Sequence, residues 1–186
     1  MSKSDIRICG LGGQGVILAG IIVGKAASIF EDRFATLVQS FGPEARGSEC
    51  SAQVMVCDEA IPFPYVRASD IFVALSQGAY EKFIGEMKDD AILVYEKELV
   101  KIDDRLPKGA KAFGIPGTRI ADEKMGRRIV FNMVMVGFVT AVTKVCDVEA
   151  VRKAVMDSVP AGTEEFNLKA FNSGFEYGVG EYGDQL

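Results

Sequence analysis

The run Gly10-Leu11-Gly12-Gly13-Gln14-Gly15 stands between two segments of different periodicity, and that placement limits the fold more than any other feature of the chain. Before it, Asp5-Ile6-Arg7-Ile8-Cys9 alternates apolar and polar residues, as a strand does. After it, Gln14 to Phe30 is rich in small and apolar residues, among them Val16, Ile17, Leu18, Ile21 and Ile22, and reads as a buried helix. A strand that turns on glycines straight into an apolar helix is a βα unit, and such units stack as sheet and helix layers.

The rest of the chain continues the alternation. Further strands are predicted at 34–39, 50–57, 70–75, 91–95 and 110–114. Further helices are predicted from Ser76 or Gln77 to about Met87, and at 117–124, 129–145, 148–157 and 164–177. Gly42, Pro43 and Gly47 break any regular element between Ser40 and Ser48, which makes that stretch a loop. The order predicts an α/β fold with three layers, α/β/α, around a Rossmann-like, largely parallel sheet. The strand ending at Cys57 follows its predecessor too closely for a helical crossover, so the sheet should be mixed. At 186 residues the chain fits one domain, 1–186.

Composition narrows the chemistry. Hydrophobic residues make up 48% and charged residues 25%, enough for a core and a solvated surface. The net charge of -5 gives no electrostatic reason to expect nucleic acid or an anionic membrane as partner. The apolar stretch Ile129–Thr143 is shorter than the roughly 20 residues of a spanning helix, and the first residues lack a secretory pattern. A cytoplasmic protein is therefore expected. Cys9, Cys50, Cys57 and Cys146 form no C-x-x-C pair and read as reduced thiols. The absence of histidine excludes His-based triads, His-ligated metals and imidazole acid–base chemistry. The remaining Lys, Asp, Glu, Cys and Tyr side chains form no catalytic constellation.

Two loops carry binding chemistry. In the glycine run, G-x-G-x-x-G permits a tight turn and close approach of a phosphate to backbone N–H groups. Glu31 or Asp32 falls where a ribose-binding carboxylate would be counted, about 20 residues on. A tight βα turn without nucleotide fits the same residues. In Phe41-Gly42-Pro43-Glu44-Ala45-Arg46-Gly47-Ser48, the Arg46 guanidinium suits a carboxylate or phosphate, or a loop salt bridge with Glu44 or Glu49. Asn132 interrupts an apolar helix. Its buried amide must find partners, in a neighbouring loop or at a subunit interface.

Together with Ala68–Leu75, Asn132–Gly137 and Asn167–Gly174, these segments resemble the gamma subunit of 2-oxoacid:ferredoxin (acceptor) oxidoreductases, the pyruvate, 2-oxoglutarate and ketoisovalerate ferredoxin oxidoreductase gamma family. One departure is Ser48-Glu49, where the family pattern has a second glycine or small residues. The resemblance implies a multisubunit complex that oxidatively decarboxylates a 2-oxoacid with coenzyme A, giving acyl-CoA, carbon dioxide and reduced ferredoxin. Thiamine diphosphate, Mg2+ and iron–sulfur clusters would lie on companion alpha, beta and delta subunits. This chain would hold no cofactor firmly, carry no complete active site and be inactive when isolated. Its own part would be architectural and on the coenzyme A side, through Gly10, Gly12, Gly13, Gln14, Gly15, Arg46 and Gly47, with no catalytic residue and no metal ligand. Two other readings stay open: a free-standing nucleotide-binding module or dehydrogenase, and a non-catalytic assembly protein of similar fold. Self-association of the isolated chain as a homodimer and the choice of 2-oxoacid also stay open, with a lean to 2-oxoglutarate.

Overall fold

Six strands build one sheet in the computed structural model, which describes residues 3–42 and 47–186. They are β1 (Lys3–Leu11), β2 (Phe34–Phe41), β3 (Glu49–Cys57), β4 (Ser69–Ala74), β5 (Met87–Glu96) and β6 (Lys111–Ile115), in the spatial order β2-β3-β1-β4-β5-β6. The six α-helices are α1 (Val16–Lys25), α2 (Gln77–Phe83), α3 (Gly117–Met125), α4 (Phe131–Thr143), α5 (Val148–Met156) and α6 (Glu164–Tyr182). Strands β1, β4, β5 and β6 are parallel, while β3 is antiparallel to both β1 and β2. The mixed sheet is as expected, and its cause is the short β2–β3 connection.

Side-chain alternation along the strands feeds two cores. Ile8, Val54, Val73, Val94 and Phe113 face one core, with α1, α3, α4, α5 and α6. Cys9, Phe72, Ala74 and Leu93 face the other, which is closed by α2 and by Val100, Ile102 and Leu106. The architecture is three-layered but lopsided. On the thin side the buried Arg7 of β1 holds the cover in place: it pairs with Glu86 at 2.6 Å, donates to the Val66 carbonyl at 2.8 Å and lies over the Phe83 ring.

On the thick side α4 and α6 cross at backbone contact. A Cβ on Gly137 would overlap the Phe171 carbonyl, and one on Gly174 would overlap the Val134 carbonyl. Only glycine at both crossings lets the helices come this close.

Element ends differ from the sequence expectation where tertiary contacts intervene. The helix read from Gln14 to Phe30 is α1 followed by a π turn at Ala26–Phe30. The helix expected to reach Met87 stops at Phe83 and tightens to 3-10 geometry at Ile84–Glu86, because Met87 already pairs with Ser69 in the sheet. The last helix runs on to Tyr182, whose ring packs edge-on to Phe113. No helix among the described residues is long and apolar enough to cross a membrane.

Candidate functional site

The connections leaving β1 and β4 go to opposite sides, α1 covering one face and α2 the other. Neighbouring parallel strands whose connections diverge open a crevice at their carboxyl ends, where open α/β sheets bind ligands. The glycine turn lies at that crevice. Gln14 organises it: its side-chain oxygen accepts from the Leu11 N–H at 2.7 Å, and its amide nitrogen donates to the Leu75 carbonyl at the end of β4, 2.9 Å away. Gly10 makes room for this amide, since a Cβ there would lie 2.5 Å from the Gln14 side-chain oxygen. Gly13 and Gly15 have φ of 100° and 72°, in the left-handed region that favours glycine.

The turn is pinned from the far side by the end of the β2–β3 connection. The Gly12 N–H donates to the Ser48 carbonyl at 2.7 Å, and the Gly47 N–H donates to the Gly12 carbonyl at 3.3 Å. Thus Gly10, Gly12, Gly13, Gln14, Gly15 and Gly47 are brought together as one constellation. Arg46, the remaining residue expected there, lies outside the described residues.

Gly15 opens α1 without a side-chain cap. The first-turn N–H groups of Val16, Ile17 and Leu18 have no intrahelical acceptor, and they carry the positive end of the helix dipole. These three residues help to line a cleft of about 590 Å³, together with Gly12, Gly13, Phe41, Ser48 and Cys50, among others. Behind the turn stands Asn132, in the first turn of α4. It is 5% exposed, it lies where a Cβ on Gly15 would be, and its amide makes no hydrogen bond to a described residue. At the mouth, Glu49 is neutralised by Lys82 at 2.5 Å. Among the described residues, the start of α1 therefore has no unpaired acidic side chain beside it to oppose an anion.

Among the described residues, neither cysteine near the cleft is an activated nucleophile. Burial raises the Cys50 thiol above its ordinary value and pushes Cys9, one position earlier on the neighbouring strand, up to about 12. Both thiols are protonated at neutral pH. No group of three or more Cys, Asp or Glu side chains among the described residues is placed to hold a metal ion.

The family model for pyruvate ferredoxin/flavodoxin oxidoreductase matches residues 5–177, nearly the whole chain. The chain belongs to that family. Within it the chain is of the gamma-subunit type. It is 44% identical over 174 residues to the 2-oxoglutarate synthase subunit KorC of Methanocaldococcus jannaschii, covering 94% of this chain and 93% of that one. The crystal structure of a keto/oxoacid ferredoxin oxidoreductase gamma subunit from Geobacter sulfurreducens superposes with a TM-score of 0.83 at 36% identity, over 95% of this chain and 99% of that chain. The same fold recurs, at TM-score 0.82 and 23% identity, within 32% of a chain of the 2-oxoglutarate:ferredoxin oxidoreductase from Magnetococcus marinus, a structure with 2-oxoglutarate, coenzyme A and succinyl-CoA bound; 97% of this chain is covered.

Set against this gamma-type fold, the dinucleotide reading loses its carboxylate. Residue counting places Glu31 and Asp32 near the ribose, yet α1 and the π turn use up the interval, and both acids lie at the opposite end of the sheet. Glu31 accepts from the Asp147 N–H and pairs with Arg33. The end of β2 that does reach the glycine turn supplies Gln39, Ser40 and Phe41, with no carboxylate. Sequence reasoning had singled out Asn132 without its location. The signal was a lone amide in an apolar helix, and only the fold puts it against Gly15. Phe41 and Cys50 carried no sequence signal for the cleft.

Proposed function

We propose that this chain is the gamma-type subunit of a 2-oxoglutarate:ferredoxin oxidoreductase and supplies the coenzyme A side of the complex, as one domain spanning 1–186. The reading rests chiefly on the uncapped start of α1, whose first-turn residues line the cleft with the Asn132 side chain packed behind Gly15. A phosphate of coenzyme A would sit on the N–H groups of that turn, as anions do at helix N-termini. Val16, Ile17 and the exposed Phe41 ring offer apolar lining to the rest of that molecule. Arg46, within the connection whose far end pins the turn, would add a bidentate anion contact.

Thiamine diphosphate, Mg2+ and the iron–sulfur clusters would be held by companion alpha, beta and delta subunits, with ferredoxin as electron acceptor. The four cysteines of this chain lie on β1, β3 and the segment after α4. The chain's own task is to orient coenzyme A for acyl transfer, with no catalytic group of its own. Likeness to KorC favours 2-oxoglutarate over pyruvate as the oxoacid.

The test is steady-state kinetics of the purified complex, followed by coenzyme A-dependent viologen reduction. Asn132→Ala removes the side chain packed behind Gly15 and loosens the turn, which should raise KM for coenzyme A about tenfold and leave KM for the oxoacid unchanged. Arg46→Ala should act in the same direction. Unaltered coenzyme A kinetics in both variants would remove the cleft from the reaction. Turnover with pyruvate exceeding that with 2-oxoglutarate would overturn the substrate assignment while leaving the coenzyme A role in place.

A further inference from the structure

We propose that the outer edge of β2 is a self-pairing surface, on which a second copy of this chain adds its own β2 antiparallel across a two-fold axis and joins the two sheets into one. Strand β2, Phe34-Ala35-Thr36-Leu37-Val38-Gln39-Ser40-Phe41, holds eight residues with no charge, no proline and no glycine. Its register against β3 is unbroken from Phe34 to Phe41. Among the described residues no hydrogen bond reaches its outer side. Such an edge is a template for another strand, and chains that stay monomeric blunt it with charges, prolines, bulges or a cover.

Three large apolar side chains around the edge are exposed as well. Phe34 and Phe41, at its two ends, are 50% and 66% exposed, and Ile29, in the π turn packed against β2, is 59% exposed. Backbone pairing alone is a narrow contact, whereas a stable interface needs a total of ~1,200 Å² or more. These three side chains supply the added apolar area.

The identity of the occupant follows from the edge itself. The backbone groups require an extended strand, and the side chains require one that is uncharged, with apolar residues at its ends. β2 is such a strand, and every copy carries one. Antiparallel pairing about an axis normal to the sheet keeps the faces in register, so the α1 layers of the two copies continue each other. The contact is isologous and closes at two chains, leaving no further open edge of this kind. Phe41 also lines the glycine-turn cleft, so pairing brings the Phe34 end of the partner's β2 to the cleft mouth.

The experiment is sedimentation velocity on the full chain over a range of concentrations, with hydrogen exchange of the β2 amides on the same samples. The variant is the double substitution Gln39→Lys and Ser40→Lys, at two exposed positions that belong to neither core. Expected is a dimer at micromolar concentration whose β2 amides are protected and lose protection on dilution, with dimerisation weakened at least about tenfold in the variant and its circular dichroism unchanged. A chain that is monomeric at every concentration overturns the proposal. So does a dimer that the variant leaves intact, or protection of β2 that arises only when companion subunits are added.

Discussion

At one side of the sheet β6 is five residues long, starts on the exposed Lys111 and lies under α6, whose Tyr182 hydroxyl accepts from the Gly114 N–H at 3.2 Å and donates to its carbonyl at 2.9 Å. At the other side β2 is eight residues long and uncharged, and no described residue hydrogen-bonds to its outer side. The two edges face the same problem, a row of backbone groups that water or another strand must satisfy. The chain solves it at β6 with its own C-terminal helix. At β2 it leaves the solution to something outside itself. A subunit that works in an assembly can keep such an edge, because assembly covers it; a free-standing enzyme of this size would gain nothing from it.

The largest way to break this contrast is to lift α6 off β6. Gly174→Ala places a methyl group where the Val134 carbonyl of α4 already stands, and neither helix can yield without leaving the core. We expect a loss of about 3 kcal/mol or more in urea unfolding, with β6 amides exchanging faster and β2 amides unchanged. Stability within experimental error of wild type would mean that the helix crossing does not hold the β6 cover in place.

A milder change removes only the cap. Tyr182→Phe keeps the ring against Phe113 and Phe138 and deletes the hydroxyl that satisfies Gly114. The expected cost is about 1–2 kcal/mol, again confined to β6 by exchange. Global acceleration of exchange, β2 included, would show that the two edges unfold as one unit and that the contrast is only geometric.

Smaller still is a pH effect on the β6 side. Glu96, at the end of β5 beside β6, is fully buried, and burial raises its pKa above the ordinary carboxylate value of 4.5, opposed by hydrogen bonds from the Thr118 and Glu98 N–H groups. Folding therefore favours the protonated carboxyl. The stability it contributes is full below the unfolded pKa and is lost as pH rises through the raised folded value. Thermal melts of the wild type should fall across that window, and Glu96→Gln should flatten the dependence. An identical pH profile in the variant would place the effect elsewhere.

What the sequence could show and what it could not divide along the same physical line. The βα turn at Gly10–Gly15 is local: a periodicity change around glycines reports it, and the observed turn follows the expected residues. The strands were legible for the same reason, within a few residues at their ends. Partner choice is not local. Nothing in Glu49–Cys57 says that β3 inserts between β1 and β2, and it is this insertion that leaves β2 as an edge. Nor does residue counting report direction, which is why Glu31 and Asp32 looked like ribose ligands yet lie at the wrong end of α1. Asn132 drew notice as an amide among apolar neighbours, but its meeting with Gly15 needs the whole of the sheet between them. Tyr182, beyond the expected end of the last helix, had no local signal for capping a distant strand.

The smallest expected effect separates the edges most sharply. Phe34 is half exposed, and in a dilute monomer Phe34→Thr should change stability by no more than about 0.5 kcal/mol, far less than the hydroxyl of Tyr182. Binding of a second copy stabilises only the folded chain, so the melting temperature of the wild type should climb with protein concentration. The variant should lose most of that climb while its dilute melting temperature stays where it was. A Tyr182→Phe variant should do the reverse, melting lower at every concentration with the slope unchanged. If Phe34→Thr lowers the dilute melting temperature as much as Tyr182→Phe does, β2 is finished by the chain's own packing, and the two edges are alike after all.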